Sequence, residues 1–493
     1  MKNTPFVILF GAAGLCAAQT GPSCEKLASL ALPDTTITMA QPVASGDFSP
    51  PSGAALKNLP AFCRVAATLA PSKDSEIKIE VWLPASGWNG KFQAIGNGGW
   101  SGAIGYAALA RALAQGYATA STDTGHSGGS GSFALGHPEK LIDFAYRAVH
   151  EMTVKSKAIV SAYYGNGPKF SYWNGCSSGG KQGLKEAQRF PADFDGIIAG
   201  APANYWTHLV TGSLWIAEAV HKDEASYIPA TKYPLIHKAV LDACDAMDGV
   251  KDGVLEDPTR CRFDPKVLEC KGSDSSMCLT PPQVEAVRKI YGPAKNPRTG
   301  QEIFPGLEPG SELGWGGLAG PQVFPIASDH YKYVVFKNPN WDWRTINFDT
   351  DVALADKIDD GMLNATDPDL RAFIGHGGKL LMYHGWNDQL ISPQNSINYY
   401  RSVAETLRSS VRLFMVPGMN HCAGGDGTST FDAVGAMEQW VEQKHAPVQI
   451  IASHMTNGTP GIGDRTRPLC PYPQVAQYKG SGSTDDAANF VCK

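Results

Sequence analysis

A serine set among small residues, at positions 175–179 (Gly-Cys-Ser-Ser-Gly), constrains the fold of this chain more than any other sequence feature. Residues 169–174 before it have the composition of a buried strand, and residues 180–189 after it have the pattern of a helix. Small residues around a serine let the backbone turn sharply from strand to helix, which exposes the hydroxyl. A Gly-x-Ser-x-Gly match alone is a weak signal, but this context predicts a nucleophile elbow at Ser177.

Two further polar residues follow predicted strands in the order that an α/β-hydrolase uses. Residues 379–385 form a short apolar strand, and Asp388 lies in the turn directly after it. Residues 411–416 form the next strand, and His421 lies in the loop that follows. That fold orders its catalytic residues along the chain as serine, acid and histidine. Alone, Asp388 could be a helix cap and His421 an ordinary loop histidine, but their joint placement predicts a triad with Ser177.

The cysteines beside the serine and the histidine carry a family resemblance. Cys176 directly precedes Ser177, and Cys422 directly follows His421. With Asp388 between them, this pattern resembles the tannase and feruloyl esterase family over nearly the whole mature chain. The resemblance implies a disulfide between the two cysteines and activity on esters of aromatic acids. A disulfide holds two Cα atoms within about 7 Å, so it would tether the elbow to the loop that carries the histidine.

The cysteine count is typical of a chain that folds in an oxidising compartment. Of the 11 cysteines, Cys16 lies in the N-terminal apolar segment, and the even remainder predicts five disulfides. Sequence alone does not fix their connectivity, but local spacing favours three pairs: Cys244–Cys261, Cys270–Cys278 and Cys470–Cys492. The family resemblance implies the same three pairs and adds Cys24–Cys63 and Cys176–Cys422.

The N-terminus predicts secretion. An apolar run over residues 6–15 follows Lys2, and the small residues that come next suit cleavage near Gln19. We therefore predict a signal peptide over residues 1–18, because the run is too short to cross a bilayer. The sequence also has glycosylation acceptor motifs at Asn364 and Asn457. We expect a secreted, extracellular glycoprotein.

The charge and composition exclude several kinds of partner. The 493 residues carry a formal net charge of −5, so the chain lacks the basic surface that nucleic acids or anionic membranes require. Charged residues make up only 18% of the chain, which also has 53 glycines and 34 prolines. This balance favours a loop-rich secreted enzyme over a helical scaffold. The oligomeric state is not encoded in any of these features.

The pattern of strands and helices divides the catalytic part of the chain into two pieces. Strands or helices are predicted over residues 77–83, 91–95, 117–122, 141–164 and 196–201. The pattern then stops and resumes near residue 379, which leaves far more chain than one strand–helix–strand unit needs. We therefore predict an α/β fold, an α/β-hydrolase domain from residues 19–203 and 377–493 with a large lid domain inserted over 204–376. The alternative is a long excursion with no part in catalysis.

An acidic stretch inside the predicted lid is a candidate cation site. Residues 245–254 (Asp-Ala-Met-Asp-Gly-Val-Lys-Asp-Gly-Val) carry three carboxylates separated by glycines. Calcium takes roughly six to eight oxygen ligands, but this spacing is not that of an EF-hand. From the residues alone, an acidic solvated turn and a metal site are equally good explanations. The family resemblance favours a structural Ca²⁺ ion held by the carboxylates of Asp245, Asp248 and Asp252 and the carbonyls of Val250 and Val254.

A glycine-rich loop follows the predicted strand at 91–95. Acyl transfer needs two backbone N–H groups aimed at the developing oxyanion. One comes from the residue after the nucleophile, here Ser178, and the other from the loop after an early strand. Residues 95–100 (Ile-Gly-Asn-Gly-Gly-Trp) fit that loop, with Gly98 or Gly99 as the donor. The alternative is a turn without a catalytic role, and no dinucleotide-binding fingerprint opens a helix here.

These features predict a serine esterase that needs no catalytic cofactor. His421 would activate Ser177, and Asp388 would orient the imidazole. The family resemblance and the chain length imply hydrolysis of hydroxycinnamic esters (ferulate, p-coumarate and caffeate) of plant cell-wall polysaccharides, xylan among them. Tannase activity on gallate esters is the first alternative, and hydrolysis of a terephthalate monoester is the second.

Two other kinds of protein are less consistent with the sequence. A hydrolase fold used only for binding would have lost the serine, the histidine or the oxyanion glycines, and all of these are present. A short-chain lipase would favour an aliphatic lid without paired cysteines. The predicted lid instead has aromatic residues that suit either its own core or stacking on an aromatic substrate. They are Tyr205, Trp206, Trp215, Trp315 and Phe324.

Overall fold

The computed structural model describes residues 23–403, 405–455 and 463–493. The predicted signal peptide over residues 1–18 and the glycosylation acceptor Asn457 lie outside these described residues. In the described part of the chain, no helix combines the length and the apolar composition that a membrane span requires.

A mixed sheet of nine strands forms the centre of the molecule. In chain order the strands are β1 (Thr35–Val43), β2 (Phe62–Leu69), β3 (Ile77–Pro84), β4 (Lys91–Ile95), β5 (Ala118–Thr122), β6 (Phe170–Cys176), β7 (Gly196–Gly200), β8 (Lys379–Gly385) and β9 (Val411–Val416). Across the sheet they lie in the order β1-β2-β3-β5-β4-β6-β7-β8-β9. Neighbours from β1 to β5 are antiparallel, and the pairs from β5 to β9 are parallel. This topology confirms the predicted α/β-hydrolase fold.

Helices cover both faces of the sheet. In chain order they are α1 (Tyr106–Ala114), α2 (Pro138–Ile142), α3 (Ala148–Tyr164), α4 (Ser178–Arg189), α5 (Trp206–His221), α6 (Tyr233–Cys244), α7 (Pro281–Tyr291), α8 (Pro325–Asp329), α9 (Thr350–Asp359), α10 (Arg371–Gly375), α11 (Pro393–Ser402) and α12 (Ala433–Gln443). Helices α3, α4, α10 and α11 bury apolar side chains on one face, and α1 and α12 bury theirs on the other. The predicted helix over 141–164 comprises part of α2, a π turn at Asp143–Arg147, and α3.

Residues 201–378, between the neighbouring strands β7 and β8, form one inserted segment that contains α5 to α10. Trp206 and Tyr331 of this inserted segment share an apolar core with Trp100 and Phe144 of the sheet domain. Burial of such large rings at a common core fixes the inserted segment against the sheet domain. The lid boundaries at 204 and 376 stay a prediction, because the shared core crosses them.

Short antiparallel strands surround the central sheet, and the sequence pattern did not predict them. They are Gly46–Phe48 with Leu56–Leu59, Ala294–Lys295 with Glu302–Phe304, Ile450–Met455 with both Thr430–Phe431 and Gly463–Leu469, and Ala476–Tyr478 with Phe490–Cys492. Ala476 and Phe490 of the last hairpin pack on Val250. The C-terminal tail therefore lies against the acidic stretch of the inserted segment.

Five disulfides join the cysteines of the described residues. They are Cys24–Cys63, Cys176–Cys422, Cys244–Cys261, Cys270–Cys278 and Cys470–Cys492. The pairs favoured by spacing and the pairs implied by the family resemblance are all present. Cys176–Cys422 has a sequence separation of 246, against 39 for the next longest, so it closes by far the longest loop.

Candidate active site

Ser177 lies between the end of β6 and the start of α4, at a sharp turn. Its backbone has φ 64° and ψ −122°, a conformation that a residue with a side chain rarely adopts. The Ser177 N–H donates to Gly200 O at 2.9 Å, which anchors the turn to β7. A Cβ on Gly175 would lie 2.5 Å from Gly179 O, so the turn closes only with glycine at this position. The structure thus contains the predicted elbow.

Asp388 and His421 are brought together at the ends of β8 and β9. His421 Nδ1 lies 2.7 Å from Asp388 Oδ2, and Asp388 is fully buried. The other oxygen, Oδ1, accepts the N–H groups of Leu390 and Ile391, each at 2.9 Å. Burial alone would raise the pKa of Asp388, but the charge of His421 and the hydrogen bonds from His384 and His421 outweigh it and hold the pKa well below its ordinary value. The carboxylate is therefore ionised and fixed in direction.

His384 is a residue of this site that the sequence analysis missed. Its Nε2 lies 3.0 Å from Asp388 Oδ2 and 3.1 Å from Ile391 O, so this nitrogen carries the proton that it donates. Its Nδ1 accepts the Ser396 hydroxyl at 2.7 Å. A histidine inside an apolar strand, four residues before Asp388, is the sequence signal that could have identified it. His384 therefore donates to the same carboxylate oxygen that His421 contacts, and it acts on the site through Asp388.

The disulfide Cys176–Cys422 connects the elbow to the loop that carries His421. The two cysteine Cα atoms are 6.0 Å apart, and each cysteine is a direct neighbour of a predicted catalytic residue. Within the described residues, Ser177 Oγ makes no hydrogen bond with the His421 ring. Such bonds are often long before a substrate binds and shorten in the reacting complex. The disulfide keeps the backbones next to the two residues within 6.0 Å of each other.

The glycine-rich loop after β4 lies directly beside the elbow. The Asn97 N–H donates to Gln182 Oε1 at 3.0 Å, and Ser178 Oγ donates to Gly99 O at 2.9 Å. In the residues that the structure describes, no hydrogen bond uses the N–H of Gly98, Gly99 or Ser178 as its donor. These three groups are therefore available to an oxyanion. Gln182, on the elbow helix α4, fixes the loop, and the sequence analysis did not identify it.

Ile326 of α8 brings the inserted segment to the glycine-rich loop after β4. A Cβ on Gly99 would lie 2.8 Å from Ile326 Cδ1, and Trp100 Nε1 donates to Ile326 O at 3.1 Å. Two of the five aromatic candidates, Trp206 and Trp315, are fully buried in apolar cores. Their rings stabilise the inserted segment and are not exposed to a substrate. The other three, Tyr205, Trp215 and Phe324, are half-buried.

The acidic stretch at 245–254 forms a compact loop after α6. Asp245 accepts the N–H groups of Asp252 and Gly253 at 3.2 and 3.1 Å, and Asp248 Oδ1 accepts that of Val250 at 2.9 Å. Burial raises the pKa of Asp248, and the charges of Asp252 and Asp245 raise it further, which the Val250 hydrogen bond only partly offsets. Negative charge thus accumulates in this loop.

The donor set of this loop fits a hard cation. Asp248, Val250, Asp252 and Val254 line one small cavity, which supplies carboxylate and carbonyl oxygens together. Asp252 also forms ion pairs with Arg465 and Arg467, which compensate part of the charge. In the described chain, the oxygens of Asp245, Asp248 and Asp252 do not all lie within 4.8 Å of one another.

Comparison with known proteins identifies the class of this chain. The family model described as tannase and feruloyl esterase matches residues 63–493. The chain therefore belongs to the tannase and feruloyl esterase family, as the elbow, the acid and the histidine–cysteine pair had indicated.

Particular relatives agree with this classification. An uncharacterized esterase of Xanthomonas campestris pv. campestris is 42% identical over 534 aligned positions, which cover 97% of this chain and 92% of that protein. A probable feruloyl esterase B-1 of Aspergillus flavus is 39% identical, with coverage of 87% and 86%. The crystal structure of feruloyl esterase B from Aspergillus oryzae has a TM-score of 0.89 at 34% identity, over 95% of this chain and 99% of that one. Tannin acyl hydrolase from Aspergillus niger is 24% identical to this chain with a TM-score of 0.79, which shows a similar fold and nothing more.

These relationships establish the type of reaction. The relatives at 34% identity or more are named esterases or feruloyl esterases, and they match this chain over most of its length. The protein is a carboxylic ester hydrolase, and esterases of this family need no catalytic cofactor.

Proposed function

We propose that Ser177, Asp388 and His421 are the catalytic triad of this ester hydrolase. The observation that carries the proposal is the 2.7 Å hydrogen bond between His421 and Asp388, beside a serine in a strained elbow. The disulfide between the neighbours of Ser177 and His421 supports the same assignment, because it ties the two backbones together. Such an elbow exposes a hydroxyl at the ends of the parallel strands, where a substrate carbonyl can reach it.

The proposed reaction begins when Ser177 Oγ attacks the ester carbonyl carbon and His421 Nε2 accepts the hydroxyl proton. Asp388 accepts a hydrogen bond from His421 Nδ1–H and stabilises the imidazolium. The N–H of Ser178 and that of Gly98 or Gly99 bind the tetrahedral oxyanion. The imidazolium then protonates the alcohol oxygen as the C–O bond breaks. Water, deprotonated by the same histidine, attacks the acyl-enzyme and releases the free acid.

The proposed substrates are esters of hydroxycinnamic acids of plant cell-wall polysaccharides. Support comes from the relatives named feruloyl esterases and from the apolar wall that Ile326 contributes beside the oxyanion loop. A flat aromatic acid is suited to such a wall, because binding there removes the apolar surface of its ring from water. The half-buried Tyr205 and Phe324 are further candidates for contact with the ring.

A side-by-side assay tests both parts of this proposal. We would measure hydrolysis of methyl ferulate, methyl caffeate, methyl gallate and mono(2-hydroxyethyl) terephthalate by the purified protein and by Ser177→Ala. Preference for the hydroxycinnamates and loss of all turnover in the variant are the expected results. Preference for gallate would move the protein to tannase activity, and a preference for a terephthalate monoester would favour the second alternative. Turnover retained by Ser177→Ala would overturn the triad.

We also propose a structural Ca²⁺ ion at the acidic loop and secretion to the extracellular space. The carboxylates of Asp245, Asp248 and Asp252 and the carbonyls of Val250 and Val254 would hold the ion, and it would stabilise the loop without contact with the substrate. Secretion is supported by the five disulfides. Of the expected glycosylation acceptors, Asn364 donates its amide to Thr207 Oγ1 at 3.0 Å, so a glycan there would leave only one N–H for this bond.

A further inference from the structure

Three potential metal ligands meet at the C-terminal part of the elbow helix, apart from the acidic loop and the triad. His150 lies on α3, Glu186 on α4, and Asp193 in the turn between α4 and β7. One ligand atom from each residue lies within 4.8 Å of the other two. The pair closest together is His150 Nδ1 and Asp193 Oδ2, at 2.7 Å. An imidazole and two carboxylates therefore face one another.

Glu186 is the unusual member of this cluster. It is only 1% exposed, and neither of its carboxylate oxygens accepts a hydrogen bond from any described residue. Burial raises the pKa of Glu186 well above its ordinary value, and the adjacent Asp193 raises it further. A buried carboxylate without a donor is costly, so it must be neutralised by a proton or by a cation. Glu186 thus faces Asp193 either as a protonated carboxyl group or as a carboxylate that shares a cation with it.

We propose that His150, Glu186 and Asp193 bind one divalent transition-metal ion of the zinc class. One imidazole with two carboxylates is a donor set that suits Zn²⁺, whereas Ca²⁺ and Mg²⁺ prefer oxygen ligands alone. Two carboxylates and a neutral imidazole compensate the charge of a divalent ion, and Lys157 is a further positive group that interacts with both carboxylates. Ligand bonds of about 2.0–2.2 Å place tetrahedral ligands about 3.4 Å apart. The three ligand atoms lie within 4.8 Å of one another without an ion, and binding would draw them closer together.

The surroundings of the cluster suit a metal site. The Phe190 ring stacks on the His150 ring, with centroids 3.8 Å apart and planes 9° from parallel, which fixes the imidazole. Lys157 donates to the backbone oxygen of Asp193 and not to its carboxylate, which pairs with His150. The side chains of His150 and Asp193 are 29% and 14% exposed, which gives an ion a path from solvent.

The ion would act as a structural clip on the elbow helix. It would join α3 to α4 and to the turn that leads into β7, and both α4 and β7 support the nucleophile turn. The site goes beyond the proposed ester hydrolysis and does not depend on it. Its occupancy can therefore be measured even if the substrate assignment fails.

The test is a calorimetric titration of the untagged full protein with Zn²⁺, in a calcium-containing buffer after removal of transition metals. We expect one zinc ion per chain and a rise in melting temperature on binding. His150→Ala and Glu186→Gln should each weaken zinc binding by at least about tenfold. His137→Ala is the matched control, because His137 also pairs with an aspartate, Asp74 at 3.0 Å, but is exposed and outside any such cluster.

Two outcomes would overturn the proposal. One is the absence of zinc binding by the wild-type protein. The other is zinc binding of equal strength in the wild type, Glu186→Gln and His150→Ala. If Glu186→Gln alone fails to fold, His150→Ala decides the question, because His150 is partly exposed and its loss leaves no cavity in the core. A second readout is the visible absorption of bound Co²⁺, which should disappear in His150→Ala and persist in His137→Ala.

Discussion

The disulfide between Cys176 and Cys422 makes the sharpest prediction, because it contributes to stability and to catalytic geometry by different routes. In the chain-entropy model, the stabilisation grows with the logarithm of the loop length. A separation of 246 gives an upper bound of about 5.5 kcal/mol, and a separation of 22, for Cys470–Cys492, gives about 3.4 kcal/mol. Removal of either bridge should therefore lower the melting temperature, and removal of the first should lower it more.

Only the first bridge should affect the reaction. Without it, the loop of His421 keeps other anchors, namely the bond from His421 N–H to Gln389 Oε1 at 3.1 Å and that from Asn387 N–H to Met419 O at 3.0 Å. The histidine would stay near Asp388 but move relative to Ser177. A displacement of about 1 Å at a reacting group costs about 100-fold in rate. We expect a kcat loss of that order with little change in KM.

The assay compares kcat for methyl ferulate in Cys176→Ala/Cys422→Ala and in the control Cys470→Ala/Cys492→Ala. Both are measured well below their melting temperatures, with folding verified by circular dichroism. The control should melt earlier than the wild type and keep its kcat. A folded Cys176→Ala/Cys422→Ala enzyme with the wild-type kcat would refute the tether argument. An equal loss of kcat in both variants would show that general destabilisation, and not the tether, is the cause.

Three further perturbations test other parts of the molecule. Asp388→Asn should lower kcat by about 10⁴-fold in the ester assay, because the imidazole loses the carboxylate that orients it, and a loss below about tenfold would contradict the triad. Chelation with EGTA should remove the proposed ion from the loop at 245–254 and so lower the melting temperature reversibly, while kcat at low temperature stays unchanged. A loss of kcat at temperatures well below melting would contradict a structural ion. Lys181→Met should raise the free energy of unfolding, since Lys181 Nζ is buried without a hydrogen bond and burial lowers its pKa to about 7. The free-energy cost of burying the Lys181 ammonium is complete below pH 7 and vanishes above the ordinary pKa of 10.5. Denaturant unfolding should therefore show that Lys181→Met raises the free energy of unfolding more at pH 6 than at pH 10. A net loss at pH 6 would show that its contacts with the Phe144 and Trp206 rings, at 4.5 and 4.6 Å, outweigh that cost.

The parts of the site that sequence could predict are those encoded by contiguous residues. The elbow at Ser177 follows from a strand, a turn of small residues and a helix that are adjacent in the chain. Asp388 and His421 each follow a recognisable strand, so their order along the chain placed them at neighbouring strand ends. The cysteine pair could be predicted for another reason, because each cysteine lies next to a predicted catalytic residue.

The residues that support the triad were not predictable in this way. His384 contacts Asp388 because a buried strand turns its ring toward the following loop, and Gln182 reaches Asn97 from 85 positions away. Ile326 reaches the oxyanion loop across an even longer separation. None of these contacts leaves a periodic signal, because each depends on how the inserted segment and the helices pack on the sheet. For the same reason, the interior of the inserted segment could be predicted only as an interruption of the strand–helix pattern.

The strain at Ser177 explains why so many long-range contacts converge on the elbow. A residue with a side chain at φ 64° is unfavourable by about 1–3 kcal/mol and persists only where its surroundings hold it. The Cys176–Cys422 disulfide and the bond from Ser177 N–H to Gly200 O hold the turn, and the Asn97–Gln182 contact holds the helix that follows. A metal clip at Glu186 would fix the other end of the same helix. An elbow held at both ends would keep Ser177 Oγ in one position relative to His421, as the proposed nucleophilic attack on an ester requires.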